Sequence, residues 1–302
     1  MTTETKSNNS VLKQGMLGFV ITFSLILIIL TSHYLYNYRD DLLYKNFDYS
    51  IILKFAFYGL ISMVALSLPI SVLVMTAVYY RQLIRQGQKA IKFKNGLLFS
   101  ISISIVCFLW LSFVSPINNL HSLCLLYDIR STEPYEPIKR TDIEVFKKYN
   151  YPLTSNYFQV SSAIDSLMTE QSLFREEDYY SKETAQYYYK EITREITKWK
   201  IKRAEMVGFP FQIFILFYFG MFLGILNRNK KFVYIGLGIY FLILPSIYYL
   251  SVIFRDIVQR YMLNPMTAQL LYLLILAIFT FGLFLLAKRK VRDVNYCWYE
   301  DK

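Results

Sequence analysis

The 302-residue chain has little of what catalysis and metal binding require. It has two histidines, His33 and His121, each alone in the sequence. Its three cysteines, Cys107, Cys124 and Cys297, are scattered and form no C-x-x-C. That pattern excludes a disulfide framework and a structural zinc site, and leaves them as packing residues. There is no G-x-x-x-x-G-K-[ST] to cradle nucleotide phosphates, no G-x-S-x-G and no H-E-x-x-H. Charged residues make up 18% of the chain and almost none lies inside an apolar run; Lys54 is the main exception. A proton-coupled carrier places carboxylates at mid-membrane, and no such residue is evident. The chain therefore reads as neither an enzyme nor an ion-driven pump, and calls for no cofactor and no metal. Energy for any movement has to come from a partner.

Apolar sequence is abundant. Hydrophobic residues make up 55% of the chain. About 20 helical residues cross a hydrocarbon core of ~30 Å, so long apolar runs predict spans. Six are predicted, at about 15–36, 51–80, 97–115, 207–226, 233–254 and 266–287. Each ends near aromatic or basic residues, as interfacial anchoring requires. The first run lacks a small-residue cleavage site and exceeds a usual signal-peptide core, so a retained span is expected. The predicted fold class is an α-helical polytopic membrane protein with six transmembrane helices.

Charge sets the expected orientation. The 79–96 connection holds Arg81, Arg85, Lys89, Lys92 and Lys94 and no acid. The 227–232 turn holds three basic residues and no acid, and the 288–302 tail five basic against three acidic. Positive short loops stay cytoplasmic. Both termini, 79–96 and 227–232 are thus expected inside, and 37–50, 116–205 and 255–265 outside. The organisation is then 1–115 with spans one to three, an extracytoplasmic segment 116–205, spans four to six in 206–287, and a cytoplasmic tail 288–302. The net charge of +11 follows largely from this asymmetry beside an anionic leaflet, and needs no nucleic acid.

The 116–205 segment is nearly neutral, with thirteen basic and fourteen acidic residues. Its first part has no clear period. Its second part, from about Ser161, lacks Gly and Pro until the fourth span and predicts one or two helices, the last running into that span. Ser161 or Ser162 is the expected cap. Glu191, Arg194, Glu195 and Lys198 offer opposite-charge pairs at helical spacing. Tyr179, Tyr180, Tyr187, Tyr188 and Tyr189 either pack or anchor the helix, or form a binding face.

Three stretches resemble one family. They are "LSLPISVLVMTAVYYRQLIRQGQKAIKFKNG" at 66–96, "SPINNLHSLCLLYDIR" at 115–130, and "KRAEMVGFPFQIFILFYFGMFLGILNRNKKFVYIGLGIYFLILPSIYY" at 202–249, followed by "LNPMTAQLLYLLILAIF" at 263–279. In order and spacing they resemble the LptF/LptG permeases, also called YjgP/YjgQ. The resemblance implies an inner-membrane subunit of a diderm bacterium. It implies pairing with a second permease and a cytoplasmic ABC ATPase dimer, extraction of a lipopolysaccharide-like lipid, and delivery to a periplasmic bridge protein. It also implies that the loop between spans two and three docks on the ATPase. Two features depart from the family. Gln88 stands where its members usually carry Glu, eight residues before the loop glycine, and the segment they build as a β-jellyroll reads as helical here.

Two sets of candidate residues follow. In the loop, Leu83, Ile84, Gly87 and Ile91 share one helical face. Arg81, Arg85, Lys89 and Lys92 share another, with Gln88 beside them. Such a helix either anchors on anionic headgroups or enters a partner groove; the resemblance favours the ATPase. At the outer rim, Arg39, Lys54, Arg255 and Arg260 either hold the phosphates of an anionic lipid or snorkel to headgroups. Pro69 and Pro245 either kink their spans for gating or are simply tolerated. Gly220 and Gly224 form a G-x-x-x-G that permits close helix packing. A non-transporting accessory or scaffold protein built on the same bundle is the rival expectation.

Overall fold

The computed structural model describes residues 2–39, 49–85, 93–130, 155–174, 182–226 and 264–292. All its regular elements there are helical. Helix α1 spans Thr2–Asn37 and α2 Tyr49–Arg85. Helix α3, Phe93–Leu109, continues through a π-turn, Trp110–Val114, into α4, Ser115–Arg130. Helix α5 spans Tyr157–Leu173, α6 Lys182–Leu226 and α7 Pro265–Arg292. Five of these segments are long and apolar enough to cross a membrane: Lys13–Asn37, Tyr49–Arg85, Leu98–Leu125, Lys182–Leu226 and Pro265–Arg289. The chain is a multi-pass, α-helical membrane protein. The fifth expected span, 233–254, lies outside the described residues.

Contacts between named residues fix how the helices run. Gly15 faces Tyr79, while Tyr34 stacks on Phe55, so α1 and α2 are antiparallel. Phe99 and Tyr80 both meet Phe217. At the opposite end Ser122 hydrogen-bonds Tyr34, and Leu125 packs with Phe55. The start of α1 and the ends at Arg85, Phe93 and Leu226 therefore gather at one end of the bundle. Helices α6 and α7 run parallel: Ile201 pairs with Ala268, and about twenty residues further on Phe222 meets Phe284. The end of α7 at Arg292 thus joins the same group.

The core lies between α2 and α6. Gly220 and Gly224 are its closest point: a Cβ on Gly220 would stand 2.4 Å from the Leu73 carbonyl oxygen, and one on Gly224 2.4 Å from that of Ala77. The G-x-x-x-G thus joins two helices of one chain, where small residues let backbones meet and dispersion replaces the missing hydrophobic drive. Buried hydroxyls on α2 return to their own helix: Ser67 donates to Val64, Ser71 to Ser67 and Thr76 to Val72 at 2.7–2.9 Å. That satisfies them without a partner helix.

Two expected boundaries move. The third span does not stop at Ser115 but continues as helix to Arg130. The Ser115 N–H reaches back to the Trp110 carbonyl, the wider π spacing. That widened turn leaves room for Pro116, which has no N–H to donate and would otherwise break the helix. Helix α5 is capped at Asn156, ahead of the two serines. Asn156 Oδ1 accepts from the Gln159 N–H, and Gln159 Oε1 accepts from the Asn156 N–H, both at 2.9 Å. This reciprocal capping box, not Ser161 or Ser162, starts the helix. As the sequence implies, the following helix runs unbroken into the fourth span. The pairs Glu191–Arg194 and Glu195–Lys198 form on its exposed face, where they contribute little.

Candidate functional site

Of the coupling candidates, Arg81 and Arg85 are described, and Gln88, Lys89 and Lys92 lie outside the described residues. Helix α2 carries both arginines on its last turns. Leu83 and Ile84 are buried, as the expected apolar face requires, and Arg85 is exposed. Arg81 is half-buried, and its Nε is enclosed without a hydrogen-bond partner among the described residues. A guanidinium is always charged and offers five donors, each of which an acceptor can satisfy.

At the opposite end the structure places Arg39 and Lys54 near one another's helices, through the Tyr38–Phe55 ring contact. Arg39 is exposed and lies over the Tyr36 ring, 4.4 Å from its centroid, a cation–π arrangement. Lys54 is exposed in a row with Leu53 and Phe57, so it points away from the bundle. The two cations share an end of the bundle, and both are exposed. Arg255 and Arg260 lie outside the described residues.

Tyr187, Tyr188 and Tyr189 are all exposed; Tyr189 meets Phe174, with ring centroids 5.5 Å apart, and Tyr187 and Tyr188 touch each other. Tyr179 and Tyr180 lie outside the described residues. His33 hydrogen-bonds Asn37, and His121 stacks on Tyr58. Cys107 and Cys124 are buried thiols. Among the described residues no three His, Cys, Asp or Glu side chains gather as a metal site would need.

Two residues escaped the sequence reading. Lys202 is only 9% exposed, a buried basic residue at the mouth of the fourth span. A buried ionisable residue beside a membrane is a functional candidate in its own right. The run "KWKIKR" looks solvated, but Trp199, Lys202 and Met206 follow each other at helical spacing on the buried face. Trp110 is the second. Its indole N–H donates to the Ile61 carbonyl at 3.2 Å, tying the π-turn to α2 about two turns before Pro69. No signal short of the fold predicts that pairing.

No protein-family model, curated protein or solved structure matches the chain.

Proposed function

We propose that the chain is a permease subunit of an ABC-type lipid exporter of the LptF/LptG kind. It takes a lipopolysaccharide-like lipid from the inner membrane of a diderm bacterium while a separate ATPase dimer hydrolyses ATP and a second permease completes the path. The supporting observation is the gathering of helix ends. Arg81 and Arg85, the approach to Phe93, Leu226 and the end of α7 all reach one end of the bundle. Those ends lead into the basic segments 79–96, 227–232 and 288–302. That is the surface a cytoplasmic ATPase would need, and Arg81 Nε has no hydrogen-bond partner there among the described residues.

The parallel run of α6 and α7 supports six crossings. Leu226 and Pro265 lie at opposite ends of the bundle, and the apolar run 233–254 between them is long enough in sequence for the expected fifth span.

One observation favours the rival reading, an accessory or scaffold membrane protein. The α2–α6 contact is backbone on backbone at Gly220 and Gly224, which suits a fixed bundle better than one that opens. Affinity purification of the full chain from native membranes separates the two. A transporter brings down an ATPase and a second multi-pass protein, and Arg81→Glu with Arg85→Glu abolishes the association. Recovery of membrane proteins without an ATPase overturns the transport reading.

A further inference from the structure

The sequence assigns Tyr157–Leu173 to the extramembrane segment, yet the contacts of α5 are deep. Tyr157 packs against Phe108, with centroids 5.8 Å apart, and Val160 and Ile164 share a core cluster with Cys107 and Leu111. Phe108 lies ten residues into the span that begins at Leu98, about 15 Å along a helix axis. That depth is inside a hydrocarbon core of ~30 Å.

The hairpin register agrees. Gln171 Nε2 donates to Thr193 Oγ1, and Phe174 meets Tyr189, so α5 runs antiparallel to α6. Followed back down that pairing, Tyr157 arrives beside Met206, which clusters with Val160. Met206 lies on the membrane side of the basic belt Lys198–Arg203, the kind of belt that marks an interface. The chemistry of α5 changes at the same level. From Tyr157 to Ile164 no residue is charged, and Asp165 is the first that is. Phe158, on that uncharged stretch, is 71% exposed, and Ile105, Leu109 and Phe113 of the third span are exposed as well.

We infer that the first two turns of α5 are seated in the bilayer, in the leaflet remote from Arg81 and Arg85, with Phe158 facing lipid acyl chains, and that the helix leaves the membrane near Asp165. The capping box on Asn156 is what permits this, because it satisfies two backbone donors at a helix start that water does not freely reach. The wedge covers one flank of the third and fourth spans in that leaflet and sets which lipids touch them. The inference rests on the chain spanning a membrane and not on what it moves, so failure of the transport reading leaves it standing.

The test uses the full chain with Cys297→Ser, carrying Phe158→Cys or Leu173→Cys labelled with an environment-sensitive fluorophore. Cys107 and Cys124 are buried and stay unlabelled. The protein is reconstituted in phosphatidylcholine vesicles, with nitroxide on the acyl chains as one quencher and aqueous iodide as the other. At position 158 the lipid nitroxide quenches roughly twofold or more strongly than at 173, and iodide shows the reverse order, because the core excludes the ion. Ser162→Cys, exposed one turn further along, repeats the measurement if Phe158→Cys does not fold. Iodide quenching at 158 equal to that at 173 places α5 in water and overturns the inference. So does a site 158 reached by neither quencher, which means a second copy or another protein covers it. Equal lipid quenching at both sites, a helix lying flat on the surface, overturns it too.

Discussion

Helices α2 and α6 differ from α1 and α7 in burial far more than in greasiness. The apolar stretch of α6 is 67% buried and that of α2 50%, against 17% for α1 and 28% for α7. Yet α7 is the most apolar of the five membrane helices and α6 the least. In a bilayer the lipid is as apolar as leucine, so hydropathy drives insertion but does not choose neighbours. Shape chooses them. The two central helices meet where α6 offers Gly220 and Gly224 and α2 offers Leu73, Thr76 and Ala77. The outer helices present Leu17, Ile21, Ile28, Leu274, Ile278 and Phe281 to their surroundings.

The comparison breaks first at the centre. Leu216 is fully buried between α2, α6 and α7, so Leu216→Ala should cost about 2–5 kcal/mol, the loss of its contacts plus the residual cavity. Unfolding of the full chain in mixed detergent and SDS measures this. Gly220→Ala should come next, at about 1–3 kcal/mol, because its new methyl group meets the Leu73 carbonyl and rigid backbone has to shift. Gly282 is the internal control. A methyl group added there would meet nothing within 4 Å, so Gly282→Ala should be neutral or slightly stabilising. Equal costs at 220 and 282 would mean that α2 and α6 are not held by this contact.

How much of this was legible follows the same division. The apolar runs are visible in the sequence because insertion depends on length and composition alone. The G-x-x-x-G was visible too, but Leu73 and Ala77 opposite it were not, since choice of neighbour depends on surface shape. The start of α5 is legible: Asn156 followed by Gln159 is a capping-box pattern, and it outcompetes the serines at 161 and 162 because its Gln returns a second hydrogen bond. The π-turn was not legible, because it depends on an indole reaching Ile61, forty-nine residues away. Lys202 was hidden because a basic run at a membrane boundary usually snorkels, and only its position relative to Trp199 and Met206 turns it inward. Of the candidate loop, Leu83 and Ile84 are buried and Arg85 is exposed, while Arg81, expected on the polar face, is half-buried. The sequence grouped Arg39 with Lys54, and both are exposed at one end of the bundle.

The Trp110 bond is a subtler break in the comparison, since it ties the third span to a central helix by one polar contact. Trp110→Phe keeps most of the ring and removes the donor. Interhelical hydrogen bonds in membranes contribute about 0.6 kcal/mol on average, so the expected loss is about 0.5–1.5 kcal/mol. A much larger loss would show that the π-turn itself depends on the bond and that α4 shifts with it.

The smallest expected effect is the most informative about partners. Ile278 on α7 is 61% exposed. If lipid covers it, Ile278→Ala exchanges protein–lipid contact for lipid–lipid contact, and stability changes by less than about 0.5 kcal/mol. The same substitution at Ile21 on α1 should behave alike, because both face outward from the bundle. A second permease subunit would change that. If either face is an interface in the native complex, its substitution stays neutral in the isolated chain but lowers recovery of the partner in the pull-down. A loss confined to Ile278 points to α7 as the docking side, and a loss confined to Ile21 points to α1. Neutrality of both, in isolation and in the complex, leaves these two helices against lipid and moves any partner contact to the exposed face of α3.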